Sequence, residues 1–141
     1  MLFQPRPPRP HARGFSLIEL MLAMACVAVV LGWGWPSYQQ LLQRSQRALA
    51  RTALMQAAHW FERAASANGS YPAAADVPRS VLQAEGMRYQ LSVVSSAHSF
   101  TLTATPIGAQ AGDACGSLTL THTGVRGTLQ AALDTAQCWG R

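Results

Sequence analysis

The sequence predicts an α+β fold: one long N-terminal helix, apolar in its first half and amphipathic in its second, packed on an antiparallel β-sheet. Three patterns carry that expectation. Residues 15–35 are about 21 mostly apolar residues in a row. Residues 37–67 are rich in Leu, Gln, Arg and Ala, all good helix formers. Residues 88–121 then hold three short runs in which apolar and polar side chains alternate, the signature of half-buried strands.

The first apolar segment is long enough to span a bilayer. Trp33 and Trp35 fall at its far end, where aromatic rings favour the interface. The fourteen residues before it carry Arg6, Arg9 and Arg13 and no acid. The positive-inside rule puts that basic, proline-rich stretch in the cytoplasm and everything after the apolar segment across the membrane. An ordinary secretory signal would end in a small-residue cleavage site, and the bulky run Gly32-Trp33-Gly34-Trp35-Pro36 offers none. A plain signal anchor leaves Glu19 unexplained. A carboxylate in such a segment costs on the order of 2.5–3.5 kcal/mol at the bilayer centre and less near the edge, so Glu19 is expected to serve a partner.

Helical character continues past residue 35. Leu42, Leu49, Ala53, Trp60 and Ala64 recur at helical spacing as an apolar stripe, and Asn68-Gly69 with Pro72 beyond reads as a stop. A helix over residues 15–67 would be about 80 Å long at the standard rise. Pro36 sits inside it and removes the bond to the Gly32 carbonyl, so a kink is expected there. Residues 70–86, with Tyr71-Pro72 and Val77-Pro78, read as a loop. The strands follow: Tyr89, Leu91 and Val93 alternate with polar neighbours, as do Phe100, Leu102 and Ala104, and then Leu118 and Leu120. Ser96-Ala97-His98 joins the first two as a hairpin.

The chain of 141 residues is 49% hydrophobic and only 12% charged, with a net charge of +5. It has no Lys. Three arginines lie before residue 15, which leaves 8 basic residues against 6 acids in the remainder. The basic balance is therefore weak evidence for nucleic-acid binding. Cys26 lies inside the apolar helix and is expected to behave as a small buried residue. Cys115 and Cys138 lie in the translocated part, where disulfides persist. Pairing them closes a loop of about 23 residues, worth about 3 kcal/mol in the chain-entropy model. Zinc binding by the same two residues lacks a CxxC or a nearby His pair. Phosphate-binding, dinucleotide-binding, metalloprotease and nucleophile-elbow motifs are all missing, and His59, His98 and His122 are isolated in sequence. The expectation is a protein that is not an enzyme, with no cofactor and no metal.

The run Arg13-Gly14-Phe15-Ser16-Leu17-Ile18-Glu19 resembles the class III signal peptide and N-terminal helix of type IV pilins and pseudopilins. In that family a prepilin peptidase cuts after the glycine and the new N-terminal residue is methylated. The resemblance implies cleavage between Gly14 and Phe15, N-methylation of Phe15, and docking of Glu19 on the N-terminal amine of a neighbouring subunit. Pilins have a helix-weakening proline at the distance of Pro36. The tail, with Phe100-Thr101-Leu102-Thr103, Asp113-Ala114-Cys115-Gly116, Gly124-Val125-Arg126-Gly127 and Cys138-Trp139, looks like PilE-type minor pilins, whose C-terminal disulfide-bounded loop would run from Cys115 to Cys138.

That resemblance implies three parts: residues 1–14 as a cleaved prepilin leader, 15–35 as a membrane-spanning and filament-core helix, and 36–141 as the amphipathic helix plus a periplasmic, later extracellular, globular domain. The expected function is a structural minor pilin supporting pilus biogenesis, twitching motility or adhesion. Its partners would be other major and minor pilins, the prepilin peptidase, the inner-membrane assembly platform and, before assembly, the membrane itself. A type II secretion pseudopilin is the alternative within filaments, and the Cys115–Cys138 loop argues against it. Arg44, Arg47 and Arg51 share one helix face. The plain reading of them is a solvated face or a subunit contact. The sharper reading is DNA contact, as in competence pilins, and it requires clustering with Arg88 or Arg126 on the folded surface.

Overall fold

A computed structural model describes residues 15–140, with the side chains of residues 33–36 outside that description. The expected leader and Gly14 lie outside the described residues. The chain divides into two units, one reaching to Tyr38 and one running from Gln39 onward. Helix α1, Leu17–Asn68, contributes to both. The expected kink at Pro36 and the interfacial placement of Trp33 and Trp35 concern side chains outside the described residues.

In the first unit every described residue from 15 to 32 is exposed, although nearly all are apolar. An 18-residue window of α1 has a mean hydropathy of 2.2 and is not buried by any of the described residues, and the helix is long and apolar enough to cross a membrane. Cys26, expected to be buried, is free and exposed for the same reason: no described residue covers this part of the helix.

The second unit carries its own core. The helix ends at Asn68, and Gly69 follows with φ +78° and donates its amide to the Ala65 carbonyl at 2.8 Å. A left-handed residue in that position closes a helix at little cost only as glycine. Four strands then form one antiparallel sheet in the order β1-β2-β3-β4: β1 Tyr89–Ser95, β2 Phe100–Pro106, β3 Ser117–Thr121 and β4 Arg126–Leu129. The register puts Leu91 opposite Ala104 and Ala104 opposite Leu118, and likewise Val93, Leu102 and Leu120 in a second row. These rows make the apolar face, while Ser92, Thr103 and Thr119 pair on the other. Residues 96–99 close the first hairpin, with the Ser96 amide on the Ser99 carbonyl at 2.8 Å.

The expected loop 70–86 instead carries 3-10 turns at Ala74–Asp76 and Arg79–Leu82 and runs into a third, Glu85–Met87, while a bridge from Gln83 to Gln90 covers part of the β1 edge. A short helix, α2 Thr135–Trp139, ends the described chain, with Asp134 as its cap accepting from the Ala136 amide at 3.3 Å. Cys115 and Cys138 are bonded, both fully buried, and their Cα atoms are 5.5 Å apart.

The helix face that meets the sheet includes Ala53 of the expected stripe but otherwise lies beside it. Ala50, Ala53, Leu54, Ala57 and Phe61 are buried, whereas Leu42 is exposed and Leu49, Trp60 and Ala64 are only partly covered. Phe61 is the centre of an aromatic cluster, its ring centroid 4.8 Å from Phe100, 5.2 Å from Trp60 and 6.4 Å from Tyr71. Phe61→Ala removes a fully buried ring from the joint between helix and sheet and should cost about 3–5 kcal/mol. Denaturant unfolding of the full chain measures it.

Candidate functional site

Two regions carry groups that the core does not need. The first is the start of α1. Phe15 is exposed just before the helix, and Glu19 is exposed in its first turn. The Glu19 amide donates to the Ser16 carbonyl at 3.0 Å. A carboxylate here complements the positive end of the helix dipole, but it remains a polar group on an otherwise apolar surface.

The second region is an open cleft of about 800 Å³ in the Gln39-onward unit, lined on one side by Arg44, Arg47 and Arg51 of α1 and on the other by Leu133, Asp134 and the α2 segment. The three arginines fall on one face because they are three and four residues apart, and the structure holds them in three different ways. Arg44 is exposed. Arg47, whose side chain is 13% exposed, donates from Nε to Asp113 Oδ2 at 2.7 Å. Arg51 donates from Nη1 to the Trp139 carbonyl and from Nε to the Arg47 carbonyl at 3.4 Å. Gly140, with φ +64°, leaves room for that approach, since a Cβ there would strike the Arg51 guanidinium.

Asp113 sits on the loop between β2 and β3, and among the described residues only it and Gln110 are buried polar side chains. Its Oδ2 accepts from Arg47, from the Tyr89 hydroxyl at 2.8 Å and from Gln110 Nε2, while its Oδ1 accepts from the Cys115 amide at 3.0 Å. Gln110 also donates to the Gln43 carbonyl of α1 at 3.3 Å. One carboxylate thus ties together the helix, β1, the loop and the first disulfide cysteine. Burial by itself would raise the Asp113 pKa. The hydrogen bonds from Arg47, the Cys115 amide and Tyr89, with the Arg47 charge, outweigh it and hold the carboxyl below its ordinary value. The same burial, with the bond to Asp113, pushes the Tyr89 hydroxyl up.

Trp139 links the cleft to the sheet. Its indole Nε1 donates to the Gly127 carbonyl at 2.9 Å, and the Arg126 guanidinium lies 5.4 Å over its ring. Arg51 and Arg126 therefore meet on one tryptophan, although neither Arg126 nor Arg88 lines the cleft. Sequence reasoning singled out the arginines and the cysteines but missed Asp113, Tyr89, Gln110 and Trp139. The Asp113–Cys115 contact is a local turn signal; the Arg47 contact spans 66 residues and leaves no such trace.

Comparison with known proteins places these features. The family described as "Type IV minor pilin ComP, DNA uptake sequence receptor" matches residues 36–119. The "Prokaryotic N-terminal methylation motif" matches residues 9–34. Among solved structures, a type IV pilin from Shewanella oneidensis is similar at 31% identity, covering 65% of this chain and 98% of that one, with a TM-score of 0.52. The non-core minor pilin PilV of Neisseria meningitidis shares the fold at 20% identity, covering 67% of this chain and 93% of that one, with a TM-score of 0.53. No curated protein matches the chain.

Asp113 makes a pH-dependent contribution whose sign follows from its lowered pKa. A carboxyl that ionises more easily folded than unfolded stabilises fully above the unfolded value near about 3.9, and the contribution fades as pH falls from there through the folded value. The difference in unfolding free energy between the wild-type chain and Asp113→Asn should be constant at neutral pH and shrink below about pH 4, as measured by denaturant unfolding across the acid range.

Proposed function

The chain belongs to the type IV minor pilins, and from that premise we propose that it is a structural subunit of a type IV pilus. The precursor is held in the inner membrane by the helix of residues 15–35, with the later domain periplasmic. A prepilin peptidase cuts after Gly14, and the Phe15 amine so freed is methylated. The assembly platform then moves the subunit into a filament of major and minor pilins, where it becomes extracellular. Glu19 pairs with the N-terminal amine of a neighbour. The reading rests above all on one contrast: residues from Gln39 onward bury their own core, while the apolar residues 15–32 bury nothing. Such a helix needs lipid first and other helices afterwards. A charge pair inside a bundle of such helices is tolerable only when both members are present, and loss of one costs about 3–5 kcal/mol. Glu19 thereby sets the axial register.

A second reading, that the same subunit contacts DNA, is supported by the ComP family match and by the arginine-lined cleft; of the two arginines expected to join that row, Arg126 approaches it only through Trp139 and Arg88 does not line it. Arg44 is exposed at the cleft, Arg47 and Arg51 are held beside it, and a row of guanidinium groups suits a phosphate backbone. Phosphates would supply affinity here; sequence preference would need contacts to base edges as well.

Glu19→Ala should insert and be cut as the wild type is, since it removes a costly group from lipid, but its ratio in sheared filaments to membrane fraction should drop. An unchanged ratio takes the docking role away from Glu19. For the second reading, Arg44→Ala should weaken retardation of duplex DNA by the full chain and lower the slope of log K against log salt by about 0.9 for one lost phosphate contact. Equal retardation by the two proteins counts against DNA binding at this face.

A further inference from the structure

Arg47 and Asp113 meet in an unusual way for a pair that only stabilises. The side chain of Asp113 is wholly buried, yet it engages Arg47 through Nε alone. A pair built for strength uses two parallel bonds, one from Nε and one from a terminal nitrogen. Here the second bond is replaced by Tyr89 and Gln110, which occupy the same Oδ2, while the Cys115 amide fixes Oδ1. The carboxylate is gripped from four directions and cannot turn to follow the arginine. The two terminal nitrogens of Arg47 have no protein acceptor among the described residues, and Arg47 lines the cleft. One turn along, Arg51 is fixed too, by two backbone carbonyls. Arginines already ordered lose little further freedom when they bind a ligand.

We propose that Asp113 is the positioning residue of this cleft: by holding Arg47 at Nε it presents the outer edge of the guanidinium to the oxygens of a phosphodiester. This rests on the DNA reading of the cleft. Asp113 itself touches no phosphate. It sets the plane of the group that does, and Tyr89 and Gln110 keep it in place.

The sign of one substitution separates positioning from charge. Asp113→Asn removes a negative charge beside the cleft, so a cleft that works by net charge would bind phosphate more tightly. Positioning requires the opposite. The assay uses the full chain in nonionic detergent micelles, with a short fluorescent duplex DNA and inorganic phosphate as separate probes. The duplex affinity of Asp113→Asn should fall about two- to tenfold, and the salt slope should fall by about 1 as the Arg47 contact is lost. Tyr89→Phe keeps the ring and removes one donor to the carboxylate; it should shift both readouts the same way by a smaller factor. If Asp113→Asn loses its disulfide or its cooperative melting, Tyr89→Phe carries the test. Unchanged or tighter binding by a folded variant overturns the positioning role. Wild-type binding of inorganic phosphate that depends on Asp113, without binding of duplex DNA, overturns the DNA reading and upholds the positioning role. A wild-type chain that binds neither probe overturns both.

Discussion

A single negative charge is buried at Asp113, and much of the globular unit is arranged around what that charge needs. An ionised carboxylate without partners would be far too costly in an apolar interior. It is satisfied by four donors, one each from α1, from β1, from its own loop and from the backbone at Cys115. Two of the donors lie 24 and 66 residues from Asp113 in the chain, and the other two are near neighbours. The apolar core alone would hold helix and sheet together, since Leu54, Phe61, Phe100, Leu102 and Leu118 are all fully buried. The carboxylate adds a directional requirement that greasy packing lacks. It fixes how the β2–β3 loop, and with it the disulfide, meets the helix.

The two halves of α1 answer different solvents. From Gln39 onward the buried face is narrow and largely alanine, because it must seat the side chains of the sheet. Before Tyr38 the helix is apolar all round, as a segment is when lipid or other helices surround it. One secondary-structure element thus joins a region that folds on itself to a region that is completed only by other molecules. Membership of the type IV minor pilins gives that division its sense on the reading proposed above, in which the first half serves the assembly and the second is the body of the subunit.

What the sequence made legible follows the same line. Strands β1, β2 and β3 were readable because each alternates over at least five residues, and the disulfide because compartment and loop length left two cysteines to pair. Strand β4 was not, since Arg126-Gly127-Thr128-Leu129 is too short to alternate and contains a glycine. Helix α2, five residues long, is recognisable only by its Asp134 cap. Of the expected stripe Ala53 is buried, but Leu49 and Trp60 attract attention by size, whereas the neighbouring Ala50 and Ala57 are buried by virtue of being small. In the cleft, the arginines were visible as a helical row. Their restraint by Asp113 and by the Trp139 carbonyl was not, because both contacts join residues more than sixty positions apart.

The disulfide has a mechanical meaning. Cys115 and Cys138 are 23 residues apart, and the whole of β3 and β4 and most of α2 lie between them. Fully extended, that stretch would span about 80 Å. A covalent short cut removes this contour length from any extension of the chain. If a subunit is pulled between its N-terminal helix and something gripping the chain beyond Cys138, the load crosses the sulfur–sulfur bond rather than unravelling half of the sheet. The segment that forms one wall of the cleft therefore stays at nearly constant length under tension, whatever happens to the hydrogen bonds around it.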